Sequence, residues 1–158
     1  MQLRTARIAG ALYLLSAAAA GVPLIYFSST LVVPDDAAKT AGNILASEAS
    51  FRACMVSELI GAITFIFVVR ALYRLLGEVS KTQASLMVTL VLISVPITFL
   101  NVLNEVAALR LLHGDSFLGI VTGAQRDALT LLFLNLHADG VSLANIFWGL
   151  WLFPSARS

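Results

Sequence analysis

Charge is what this 158-residue chain has least of: ten basic and nine acidic side chains make up 12% of it and leave a net charge of +1. Soluble domains carry about 25%, because their surface must be hydrated. Half of a wettable surface is therefore missing. The single cysteine, Cys54, excludes a disulfide scaffold, and its place near one end of an apolar stretch reads as a packed small side chain rather than a nucleophile. Near-neutral charge without a basic cluster argues against a nucleic-acid partner. Also lacking are His-Glu-x-x-His, Cys-x-x-Cys, Gly-x-Ser-x-Gly, a Walker loop and a dinucleotide glycine fingerprint. No motif announces a cofactor, a metal or a catalytic residue, and no repeat of fixed period is evident.

What is present is apolar, at 59% of the residues, which excludes a disordered chain. Residues 8–34 and 82–104 carry no charge, residues 53–69 carry only Glu58, and residues 128–156 carry only Asp139. About 20 helical residues cross a bilayer core of ~30 Å. The pattern predicts an all-α, polytopic membrane helix bundle with four spans near 8–32, 53–75, 85–109 and 128–152. The connections are too short for a separate soluble domain, so residues 1–158 form one membrane domain. The opening Arg4 and Arg7, the apolar run and Ser16 to Gly21 also fit a cleaved export signal. Against that reading the run continues to Val33, longer than a signal needs, so the segment is expected to stay as a span kinked at Pro23.

Charge then orients the bundle. With a cytoplasmic N-terminus, one side receives Arg4, Arg7, Arg70, Arg74, Lys81 and Arg157 against the lone acid Glu78. The other receives Lys39, Arg52, Arg110 and Arg126 together with five acids. Basic residues at span ends stay cytoplasmic, so both termini are expected inside and the protein in the cytoplasmic membrane, with Trp148, Trp151 and Phe153 at the inner interface. On the outer side, Pro34 stops the first span and Asp35 is expected to cap a short interfacial helix running to Ser50. Thr122 and Gln125 have capping-box spacing for the fourth span.

Polar residues inside spans carry the functional content, since in hydrocarbon they must find partners. Ser94, Thr98, Asn101 and Glu105 follow steps of four, three and four along the third span, with Asn104 beside them. On the fourth, Asn135, Asp139, Ser142 and Asn145 make a second stripe, and His137 points the other way, towards Thr130, Gly140 and Ala144. That span is expected to have two protein-facing sides. Ser57, Gly61 and Thr64 form a small-residue seam on the second span, next to Glu58. By depth, Glu58, Asn101, Asn104, Glu105, Asn135, His137 and Asp139 share the outer half of the bilayer and are the candidate ligand-binding residues. Such a set suits a small polar molecule, an ion or a lipid headgroup. It equally suits hydrogen-bonded glue in a structural or accessory subunit, and a third reading is a metal-dependent intramembrane enzyme using Glu105, His137 and Asp139. Asp139, as the costliest placement, is the first residue to mutate.

The segments TARIAGALYLL at 5–15, LVVPDDAAKTAGNILASEASFR at 31–52, ALTLLFLNLHADG at 128–140 and IFWGLWLFP at 146–154 resemble a bacterial family of multi-pass membrane proteins, domain of unknown function 4386. The resemblance covers nearly the whole chain and implies membrane lipids as surroundings, with no established activity and no catalytic residues to carry over. Members of the family commonly continue past the WLFP point, so this chain resembles a short or truncated one. An exposed bundle face would then invite a homo-oligomer or a partner subunit. Ala138-Asp139 stands where the family pattern has glycine and an uncharged residue. The protein is expected in the membrane pellet after ultracentrifugation of a detergent-free lysate, and its recovery in the supernatant would remove the bundle.

Overall fold

The computed structural model describes residues 2–150, and every element among them is helical. Helix α1 spans Gln2–Tyr26 and runs on into a π-turn at Phe27–Leu31; α2 is the short helix Ala37–Ala46. Helices α3 (Glu48–Leu76), α4 (Lys81–His113) and α5 (Gly123–Leu150) follow, with one 3₁₀ turn at Ser116–Leu118. Four of these segments, Ala6–Leu31, Glu48–Leu76, Lys81–His113 and Gly123–Phe147, are long and apolar enough to cross a membrane. The chain is thus a four-span helix bundle. Trp151, Phe153 and Arg157, invoked above for the inner interface, lie outside the described residues, as does the side chain of Trp148.

The long helices neighbour one another in chain order: α1 lies along α3, α3 against α4, and α4 along α5. Helix α2 crosses one end, touching α5, α3 and the π-turn. The small-residue seam explains the first contact. Gly61 lets α1 approach so closely that a Cβ there would stand 3.3 Å from the Ala20 nitrogen and 3.4 Å from the Ser16 carbonyl oxygen. Ser16 donates from Oγ to the Gly61 carbonyl at 2.9 Å, and Ser57 donates to the Ala19 carbonyl at 2.8 Å. The second bond has a specific origin. Pro23, inside α1, has no N–H to give the carbonyl four residues back, which is that of Ala19. Ser57 supplies the missing donor from the next helix.

Helix α1 runs on as α-helix through Pro23 to Tyr26, and in the π-turn that follows the carbonyls of Thr30 and Leu31 are held by Asn43 Nδ2 from α2 at 3.3 and 3.2 Å. The cap of α2 is Asp36, which accepts from the Lys39 N–H at 2.9 Å, rather than the expected Asp35. Asp35 instead takes the left-handed conformation (φ 62°) that makes the turn, one that Asp tolerates because its side chain bonds locally. The helix expected to reach Ser50 ends at Ala46, and α3 begins at once with Glu48. The capping box forms: Gln125 N–H donates to Thr122 Oγ1 at 3.3 Å and Thr122 N–H to Gln125 Oε1 at 2.9 Å. Gly114 (φ 66°) terminates α4 in the left-handed form, with the Arg126 guanidinium beside it at the negative end of the helix dipole.

Two apolar clusters flank the polar layer. Phe65, Val68, Val69, Met87 and Val91 pack the half of the bundle remote from α2, and Leu31, Ile44, Phe51, Ala108, Leu109 and Leu134 pack the α2 end. Because Gly61 sits at a close approach of α1 to α3, Gly61→Leu is expected to destabilise the detergent-solubilised protein by about 1–3 kcal/mol. Denaturant titration followed by circular dichroism measures this, and an unchanged midpoint would mean that the seam is not a close contact.

Candidate functional site

The stripe on α4 faces inward as its spacing implies. Ser94, Asn101 and Glu105 are buried and Thr98 and Asn104 half-buried. From α3, Glu58 reaches the same level, half-buried, and from α5 comes His137. One ligand atom from each of Glu58, Glu105 and His137 can be chosen so that all lie within 4.8 Å of one another. His137 Nε2 stands 3.6 Å from Glu58 Oε2 and 3.7 Å from Glu105 Oε1. Glu105 is wholly buried, and neither of its carboxylate oxygens has a hydrogen-bond donor among the described residues.

The imidazole is held from behind. Its Nδ1 lies 3.3 Å from Asn101 Nδ2 and 3.4 Å from the Asn101 main-chain carbonyl; in the tautomer whose Nδ1–H donates to that carbonyl, Nε2 turns its lone pair on the two carboxylates. Asn101 Nδ2 donates at 2.9 Å to the His137 carbonyl, and Asn104 Nδ2 donates at 3.1 Å to Asn101 Oδ1. Gly140 completes the arrangement, because a Cβ at that position would occupy the space of the Asn101 carboxamide. On the remaining side the Phe27 ring of the π-turn stacks over His137, with centroids 6.3 Å apart and planes at 21°, and touches Phe51 at 4.9 Å.

Of the seven residues singled out in the sequence, five come together here: Glu58, Asn101, Asn104, Glu105 and His137. Asn135 and Asp139 do not. Both are exposed on α5, as are Ser142 and Asn145, while Thr130 and Ala144 on the His137 side are buried. Helix α5 has one side turned into this bundle rather than two, because about 200° of rotation separates Asn135 from His137 at ~100° per residue. Asp139 is therefore no part of this cluster. Phe27 is the contributor that sequence reasoning missed. An aromatic residue four positions after a proline was the available signal, but only the π-turn swings it over α5.

Chemically the cluster sets two carboxylates and an imidazole face to face in a mostly buried layer, with no hydrogen bond to either Glu105 oxygen among the described residues. Such an arrangement requires a cation between them, a proton or a metal ion, since uncompensated carboxylates are costly in a low-dielectric interior. The spacing fits a metal: with bonds of about 2.1 Å, tetrahedral ligand atoms stand roughly 3.4 Å apart. A dication would balance two ionised carboxylates beside a neutral imidazole.

Residues 8–157 match the family described as domain of unknown function (DUF4386). The chain belongs to that family. No curated protein and no solved structure matches it. DUF4386 membership covers all three cluster residues and the π-turn, and assigns them no role. In this DUF4386 protein Gly140→Ala is expected to expel the Asn101 carboxamide and destabilise the bundle, and Asn101→Ala in the same chain to recover much of the loss. The double-mutant cycle should show a coupling of about 0.5–3 kcal/mol, and simple additivity would disprove the contact.

Proposed function

We propose that this DUF4386 protein is an integral protein of the cytoplasmic membrane that binds a divalent transition-metal ion through Glu58, Glu105 and His137. The observation that carries this reading is the buried Glu105 carboxylate, without a hydrogen-bond donor among the described residues, beside a second carboxylate and an imidazole nitrogen. Mixed carboxylate and imidazole ligands suit manganese, iron or zinc better than magnesium or calcium. Three protein ligands leave a coordination position for a small polar molecule. Asn101 supports the site from outside it by orienting His137, the part that outer-shell hydrogen bonds play in metal centres.

Full-length protein in detergent, stripped with a chelator, is expected to bind one equivalent of Zn²⁺ or Co²⁺ by calorimetry, with the visible absorption of a low-coordinate Co²⁺ centre. At a hundredfold excess over the dissociation constant the metal should stabilise the fold by about 2.7 kcal/mol. Glu105→Gln and His137→Ala should each weaken binding by more than the roughly 10- to 100-fold that loss of an outer-shell partner costs. The competing reading, helix glue in a structural subunit, is favoured by the hydrogen bonds that tie Asn101 to α5. It predicts no bound metal, and a Glu105→Gln protein at least as stable as the parent.

Orientation belongs to the same proposal. Six basic residues against four support both termini in the cytoplasm, which would put the metal cluster in the outer half of the bilayer. In a Cys54→Ser background an impermeant maleimide should label Ile120→Cys on intact cells and spare Val79→Cys; both native residues are exposed, at 92% and 67%. The reverse pattern would invert the protein.

A further inference from the structure

Helix α5 carries a second polar stripe that the metal cluster does not use. Asn135, Asp139 and Ser142 lie within about 60° of one another at ~100° per residue, with Asn145 next in line, all exposed and directed away from the bundle. Asp139 lies about 20 Å along α5 from Arg126 at ~1.5 Å per residue, and so deep in the bilayer. Neither Asn135, Asp139 nor Asn145 has a hydrogen bond among the described residues, and Ser142 bonds only back to the Ala138 carbonyl. A carboxyl group and two carboxamides turned to acyl chains at that depth are not a stable end state, because nothing in hydrocarbon hydrogen-bonds them. Something covers them.

We infer that the cover is a second copy of this chain, with α5 packed on α5 about a two-fold axis along the membrane normal. The stripe is complementary to itself. Each asparagine offers both donors and an acceptor, so identical residues satisfy one another across the axis, and the Asp139 carboxyl group accepts from the carboxamides one turn away on the other copy. The rest of the face permits close approach: Ala138 and Ser142, both exposed, have the small-x-x-x-small spacing that lets helix backbones meet. No basic residue lies on this stretch of α5 to pair with Asp139 within its own helix. The metal cluster lies on the opposite side of α5, so this interface is independent of the metal reading.

Cysteine cross-linking tests the inference with the stripe intact. In a Cys54→Ser background, full-length protein reconstituted in phosphatidylcholine liposomes is expected to form covalent dimers on oxidation from Ala138→Cys and from Ser142→Cys. Leu136→Cys is exposed on the other flank of α5 and should not cross-link. Energy transfer between N-terminally tagged copies should report the same dimer, and Asp139→Leu should weaken it roughly tenfold while leaving helicity unchanged. Equal cross-linking at Leu136→Cys would reveal collision without an interface. Absence of energy transfer for the unmodified stripe would show that this face waits for a different chain. Either result overturns the proposal.

Discussion

The constraint on which the structure depends is that a polar group inside hydrocarbon must be satisfied by protein. Each polar contact between helices in this bundle can be traced to it. Pro23 withholds one N–H from α1, and Ser57 of α3 donates to the carbonyl left over. The π-turn after Pro23 leaves the carbonyls of Thr30 and Leu31 free, and Asn43 of α2 takes both. Asn101 of α4 spends its carboxamide on the main chain of α5. The polar residues act as the stitches between elements whose apolar surfaces alone would not choose a partner, because lipid is as apolar as they are.

Against that background the Glu58, Glu105 and His137 cluster stands apart. Here two carboxylates and an imidazole nitrogen meet, and neither oxygen of the buried Glu105 has a hydrogen bond among the described residues. Its neighbours are arranged to keep it so. Phe27 and Phe51 close one side, Asn101 fixes the imidazole from behind, and the absence of a side chain at Gly140 leaves room for that carboxamide. The π-turn that follows α1 delivers the ring that covers His137.

Much of this was legible in the residues. The uncharged runs marked four spans, steps of three and four on α4 marked the buried face with Asn101 and Glu105, and Ser57, Gly61 and Thr64 marked the seam with α1. Thr122 and Gln125 announced their cap. The reading went astray where two solutions were chemically equal. Asp35 and Asp36 are both good caps, and backbone geometry chose Asp36. His137 and Asp139 both mark polar sides of α5, and nothing local says which of them turns into this bundle.

Composition and periodicity alone determined the class, the number of spans and the inward face of each helix with one polar stripe, because burial in lipid is decided residue by residue and leaves its mark at ~100° steps. Which stripes converge was settled only in three dimensions. Helix α5 could present either polar side to the bundle, and its rotation depends on contacts more than thirty residues away: Asn101 against Gly140 and the main chain of His137, and Phe27 over the imidazole ring. Long-range packing of that kind has no signature in any single segment.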